Sequence, residues 1–303
     1  VERMASSARE IYDVPLFVNA AMNSRGRRPG EYPSAGPLAH LIDVWHCAAP
    51  SVDFIAPDLY DDGFKGWAAQ YHLHNNPLFI PEIRHTQNNG VRAFYVFGEH
   101  NALGFSPFAI EDGSDEQGTP FVEGYEKLRE IMPLVTGWQG KDAMWGLLFD
   151  QNDKERIIED GSLVLTCRHN FTLPWDPRAT DGSVWPEGGG IIIRIAENEY
   201  IVAGNGIVVE FATASEKAFG KAAESLGEDG FASAGSKGTG TPARKAWKGT
   251  RCGIGSVDEV KVNADGSFSY IRRLNGDQDH QGRHVRISVG DYKTLYVRLY
   301  EYQ

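Results

Sequence analysis

A glutamate closes an apolar run in Phe79-Ile-Pro-Glu82-Ile-Arg84-His85, and a guanidinium follows two residues later. A carboxylate beside an arginine stays ionised, which a nucleophile requires. The same pattern also makes an ion pair that only ties a loop, and the local pattern leaves both roles open. Tyr60 ends the preceding apolar run, Val52-Asp-Phe-Ile-Ala-Pro-Asp58-Leu-Tyr60. Its phenol could orient Glu82 by a hydrogen bond or pack half-buried under a loop. Asn19 ends Val14-Pro-Leu-Phe-Val-Asn19 and suits either a ligand hydroxyl or a turn. Glu99-His100-Asn101 follows the apolar stretch Val91 to Phe97 and precedes Gly104-Phe-Ser-Pro-Phe108. That segment offers Glu99 as a substrate contact and Phe105 or Phe108 as a wall. His72 and His74 lie two apart with no third metal ligand near them in sequence, so no metal site is expected.

These groups need elements to carry them. Residues 1 to 140 alternate short apolar strands with helical stretches. Strands are expected at Val14 to Asn19, Val52 to Pro57, Leu78 to Glu82 and Val91 to Phe97. Helices are expected at Arg3 to Tyr12, Pro37 to Cys47, Gly63 to Asn75 and Phe121 to Val135. Strands joined by helical crossovers imply a parallel sheet, and their near-continuous apolar runs imply that both faces are covered. The polar groups collect at the strands' C-terminal ends, where chemistry sits in a (β/α)₈ barrel. Four such units make half a barrel or a small open sheet. Residues 141 to 303 instead show strand after strand, including Ser162 to Arg168, Gly190 to Ala196, Glu199 to Ala203, Ile207 to Ala212 and Val257 to Val262. Turn signals such as Gly204-Asn205-Gly206 and Ala264-Asp265-Gly266 separate several of them. An antiparallel β-sandwich is the expected second domain. Gly227 to Lys245, rich in Gly, Ser, Ala and Thr, reads as a surface loop.

Composition narrows the choice of function. Of the 303 residues, 41% are hydrophobic and 23% charged, as in an ordinary globular chain. A net charge of −11 with scattered basic residues argues against nucleic-acid binding. No apolar run approaches the ~20 residues of a membrane span. Seven Trp and twelve Tyr suit sugar stacking or core packing equally well. The three cysteines, Cys47, Cys167 and Cys252, show no zinc spacing and allow at most one disulfide. Neither a G-x-S-x-G elbow nor a phosphate-binding G-x-x-x-x-G-K-[ST] loop occurs, and Gly188-Gly-Gly190 reads as a turn before a strand.

Taken in order, Phe17-Val-Asn19, Asp53-Phe-Ile-Ala-Pro-Asp58-Leu-Tyr60, Pro81-Glu82-Ile-Arg84 and Ala93-Phe-Tyr-Val-Phe97 resemble the second half of a retaining β-galactosidase barrel. The likeness is to bacterial family 35 glycoside hydrolases, related to family 42, and it runs over nearly the whole chain. It implies that residues 1–140 hold barrel strands five to eight and that residues 141–303 form the β-sandwich accessory domain. It also implies Glu82 as nucleophile and Tyr60 as the phenol touching it. With Glu99 and Phe105 from the residues themselves, the substrate-binding candidates are Asn19, Asp58, Tyr60, Arg84, Glu99 and Phe105. No metal or organic cofactor is implied. The ligand would be a galactoside oligosaccharide or a plant polysaccharide side chain, met outside the cytoplasm, in the periplasm or beyond the cell.

One departure stands out. The family's acid/base glutamate follows an Asn at the end of strand four, and no Asn-Glu pair lies upstream of Asn19. Asn198-Glu199 falls in the β-domain, and Glu2 opens a helix that should come after the acid/base strand. The acid is therefore expected on an N-terminal barrel half, supplied by a preceding segment or another chain, with Glu99 the only alternative within residues 1–303. Two further readings stay open. One is a non-catalytic carbohydrate-binding or assembly subunit, and the other is a relative in the same clan with a different sugar specificity.

Overall fold

The computed structural model describes residues 1–22, 27–28, 30–31, 37–111, 119–225, 249–280 and 282–303. The loop expected at Gly227 to Lys245 lies outside the described residues. In the first part, four parallel strands pair in sequence order: β1 (Phe17–Ala21), β2 (Phe54–Leu59), β3 (Phe79–Ile83) and β4 (Gly104–Pro107). Between them run α2 (Ile42–Ala48), α3 (Phe64–Tyr71) and α4 (Asn89–His100), after an N-terminal α1 (Glu2–Ile11). Glu2 fastens α1 by accepting from the Ser51 amide at 2.9 Å and the Ser51 hydroxyl at 2.8 Å. Asn76, fully buried, ties β2 to the end of α3. Its side chain accepts from the Ile55 amide and donates to the carbonyls of Ile55 and Tyr71.

Strand alternation divides the sheet into two chemically different faces. Val18, Ala20, Ile55, Leu59, Ile80 and Ile83 join the core beneath the helices. Phe17, Phe54 and Phe79 stand apart from that core and meet one another, with ring centroids 5.0–6.0 Å apart. Ile80 and Ile83 can both face the core because the β3–β4 register slips between them. The slip, at the Pro81-Glu82 step, turns Glu82 to the same side as Phe79 and Asp58, as a bulge re-aims a side chain.

The stretch Val91 to Phe97, expected as the fourth strand, is the middle of helix α4. Its apolar residues run without a polar face, so periodicity could not separate strand from helix. The helix is apolar nearly all round because it is buried nearly all round, between the parallel sheet and the β-domain. Gly98 lets it touch strand β5 (Met144–Phe149), since a Cβ there would lie 2.8 Å from the Gly146 Cα. The fourth strand is instead the four-residue β4, after Asn101 ends α4 in the left-handed conformation at φ 48°.

Helix α5 (Thr119–Trp138) leads into the β-domain, where, among the described residues, every strand pairing is antiparallel. One sheet holds β6 (Glu155–Asp160), β7 (Leu163–His169), β10 (Ile207–Thr213) and β13 (Val285–Ile287). The other, six-stranded, holds β5, β8 (Gly188–Ala196), β9 (Glu199–Asn205), β11 (Arg251–Val262), β12 (Phe268–Leu274) and β14 (Lys293–Tyr302). Leu165, Val209 and Val285 from the first share a core with Ile192, Val202, Leu295 and Val297 from the second. The edge strands β6 and β13 and helix α6 (Ala214–Ser225) had no counterpart in the sequence reading. Edge strands carry only half a buried face, so their apolar signal is short. Among the described residues no helix is long and apolar enough to cross a membrane.

Candidate active site at the end of the parallel sheet

Asn19 in the middle of β1, Asp58 and Glu82 near the C-terminal ends of β2 and β3, and Tyr60 just beyond β2 form two linked pairs. Asn19 Nδ2 donates to Asp58 Oδ1 at 3.0 Å. Tyr60 Oη donates to Glu82 Oε1 at 2.5 Å. The pairs stand side by side, because Asp58 and Glu82 are register partners across β2 and β3. The bulge presents the carboxylate of Glu82, the loop after β2 brings Tyr60 over it, and β1 presents Asn19. Three of the groups that the sequence placed at strand ends, together with Tyr60 just beyond, thus converge.

The electrostatics follow from this crowding. Burial, then repulsion from Glu82, pushes the Asp58 carboxyl up to about 6, against the lowering effect of the Asn19 hydrogen bond. Asp58 therefore holds its proton to a higher pH than an ordinary aspartate, beside the carboxylate presented by the next strand. Burial, and then its bond to Glu82, pushes the Tyr60 phenol up to about 12, so it remains a protonated donor. A donor on one oxygen fixes the rotamer of Glu82 and leaves its remaining lone pairs available. That is the arrangement of an oriented nucleophile.

The other expected site residues lie elsewhere. Arg84 does not pair with Glu82. Its Nη2 donates to the Tyr60 carbonyl at 2.6 Å and its Nη1 lies 3.7 Å from Asp62 Oδ1, so it braces the loop that carries Tyr60. Glu99 ends a helix, and its two oxygens are taken by Arg156 at 2.5 and 3.1 Å. It also accepts from the Gly146 amide at 3.3 Å, so it serves the seam with the β-domain, away from the strand ends. Phe105 is 6% exposed and packs against Phe64 and Tyr125, as core and not as a substrate wall. Phe108 is 57% exposed. His72 meets His100, Nδ1 to Nδ1 at 3.0 Å, and among the described residues no group of three or more metal-ligating side chains comes together. All three cysteines are free, Cys167 and Cys252 buried in the β-domain and Cys47 exposed.

The sequence reading also overlooked the phenylalanine cluster on the face that carries Glu82. Each of β1, β2 and β3 begins with phenylalanine, and that shared first position was the available signal. Phe17 is 41% exposed, so the sheet presents an aromatic floor beneath the polar row.

Comparison with known proteins bears on the other part of the chain. No curated protein matches it. One family does, over a stretch that opens in α5 and closes in β13, and so takes in much of the β-domain and none of the strand-end residues. With residues 121–286 matched, more than half of the 303, the chain belongs to the family described as a domain of unknown function (DUF5597).

Proposed function

We propose that the chain carries the nucleophile half of a retaining β-galactosidase. The observation that bears most weight is Glu82 at the end of β3, oriented by Tyr60 and flanked by the Asp58–Asn19 pair. Glu82 attacks the anomeric carbon, and the bond from that carbon to the leaving oxygen breaks. A second carboxylic acid, ~5–5.5 Å from the first in retaining enzymes, gives its proton to the leaving oxygen. Water then attacks the same carbon, the second carboxylate takes the water's proton, and Glu82 is released. Tyr60 holds Glu82 in line, and Asn19 and Asp58 face the sugar hydroxyls.

The acid/base partner belongs to an N-terminal barrel half that covers the face carrying Phe17, Phe54 and Phe79. Parallel strands are normally covered on both sides, and a face that leaves the Phe17 ring 41% exposed favours such a cover. Glu99 does not fill the role, since Arg156 occupies both of its oxygens. The test uses an aryl β-galactoside whose phenolate leaves without protonation, given to the chain with and without the N-terminal half. Glycosylation of Glu82, seen as a mass increase on its peptide and lost in Glu82→Gln, supports the assignment. Turnover by the complex that survives Glu82→Gln, or a label that forms on another residue, overturns it.

A further inference from the structure

Each residue from Asn89 to Arg92, in the first turn of α4, is committed to a contact with another part of the chain. Asn89, fully buried, turns its side chain back. Its Nδ2 donates to the Arg84 carbonyl at 3.0 Å, and its Oδ1 accepts from the Thr86 hydroxyl at 3.3 Å. Gly90 receives α5, since a Cβ on Gly124 would lie 2.7 Å from the Gly90 Cα. Val91 receives β8, since a Cβ on Gly189 would lie 3.0 Å from the Val91 Cβ. Arg92 donates from Nε and Nη2 to the two oxygens of Glu187, just before β8, at 2.7 and 2.6 Å. One helical turn thus joins the loop after β3, helix α5 and the β-domain.

The loop after β3 carries this placement to the polar pair. Its backbone stays in step with β2, because the Arg84 amide donates to the Leu59 carbonyl at 3.2 Å. The Arg84 guanidinium donates to the Tyr60 carbonyl at 2.6 Å, and the Tyr60 phenol donates to Glu82 at 2.5 Å. Tyr60 is 40% exposed, so these bonds, more than packing, set where its ring stands. A series of hydrogen bonds, linked through Arg84 and Tyr60, therefore runs from buried Asn89 to Glu82. At the other end the forked Arg92–Glu187 pair is largely buried, with side chains 15% and 17% exposed. Backbones packed this closely pass a displacement on instead of absorbing it.

We propose that the first turn of α4 is the joint through which the β-domain sets the geometry of the Tyr60–Glu82 pair, with Arg92 and Asn89 as positioning residues. The joint gives a part in the chemistry to the β-domain, which supplies none of the four side chains of the strand-end pairs. The effect on reaction rests on the reading of Glu82 as nucleophile, whereas the effect on geometry does not.

Tyrosine isotopically labelled at Cζ reports the phenol's hydrogen bond by NMR in the whole chain. Tyr60→Phe assigns the resonance, and Glu82→Ala gives its position without the bond. Glu187→Ala and Asn89→Ala should each move the Tyr60 resonance towards that position. Arg156→Ala loosens the far end of α4 and should leave it unmoved. With the N-terminal half present, glycosylation of Glu82 by the aryl β-galactoside should slow by roughly tenfold in Glu187→Ala. A Tyr60 resonance that stays in place in Glu187→Ala overturns the joint, as does a folded Asn89→Ala in which it stays in place. An equal shift in Arg156→Ala, or labelling of Glu82 at the parent rate in Glu187→Ala, overturns it too. If Asn89→Ala does not fold, Glu187→Ala decides alone. If the resonance moves as expected and Glu82 takes no label even in the parent, the joint stands and the galactoside reading at Glu82 falls.

Discussion

Glu82 and Glu99 have similar sequence surroundings and opposite fates. Each follows an apolar run, and each has a basic side chain within two residues. At the end of β3, a bulge turns Glu82 onto the face away from the helices, where one neutral phenol holds it. At the end of α4, Glu99 faces the β-domain, and a guanidinium and a backbone amide consume its oxygens. A carboxylate becomes available for chemistry when its partner is a neutral donor that leaves lone pairs free. It becomes a fastener when a forked cation takes both oxygens. The difference between the two ends is therefore one of partners, and both partners come from distant parts of the chain.

The comparison can be broken most directly at Glu82. If Glu82 is the nucleophile proposed, Glu82→Gln should reduce β-galactoside turnover by the chain joined to its N-terminal half by at least about a thousandfold, since a lost nucleophile is not replaced by binding energy. Glu99→Gln should leave turnover within about twofold of the parent, as expected of a group remote from the reaction. A kinetic assay of the two variants that gave the reverse order would invert the assignment.

Next in size is Arg156→Ala, which leaves the Glu99 carboxylate unpaired at a partly buried seam. We expect a loss of about 2 kcal/mol in urea unfolding, below the full cost of breaking a wholly buried pair. Equal stability would show that the seam does not depend on this pair.

Tyr60→Phe sharpens the other side. Losing a hydrogen bond to a charged carboxylate costs about 1.5 kcal/mol, or roughly tenfold in kcat, with KM nearly unchanged. A rise in KM alone would make Tyr60 a substrate contact and not an orienter of Glu82.

The smallest effect is a pH slope from the His72–His100 contact. Burial, then the charge of His72, holds His100 down to about 4, and burial also lowers His72, from an ordinary value of 6.5. Glu99 opposes both shifts, and Arg156 adds to that on His100. The unfolded chain therefore binds more protons than the folded one between pH 6.5 and 4. Stability should fall as pH drops through that window, by at most about 1.4 kcal/mol per pH unit for each proton. Replacing His72 with Gln should flatten the slope in a series of denaturant titrations, and an unchanged slope would locate it elsewhere. Asp58 works against this trend, because a carboxyl raised to about 6 favours the folded state on the acid side.

Much of the strand-end chemistry was legible in the residues. Short apolar runs ending in Asn19, Asp58-Leu-Tyr60 and Glu82 announce strands with polar C-terminal ends, and parallel pairing of successive strands brings those ends together. The antiparallel strands β7 to β11 were legible for a similar reason, since each is a buried or half-buried apolar run. Local signals failed where burial was complete or very short. Helix α4 is apolar on nearly every face, β4 is four residues long, and β6 and β13 lie at sheet edges.

What the sequence by itself determined is the set of groups and their order along the strands, because alternation and turn chemistry act over a few residues. Only the tertiary structure decided which groups work as sites. Arg84 braces a loop instead of Glu82, and Glu99 is spent on Arg156, 57 residues away. Phe105 becomes core, and the first turn of α4 meets elements with no local relation to it. Hydrogen bonds and ion pairs form wherever packing brings donor to acceptor, and packing is a property of the whole fold.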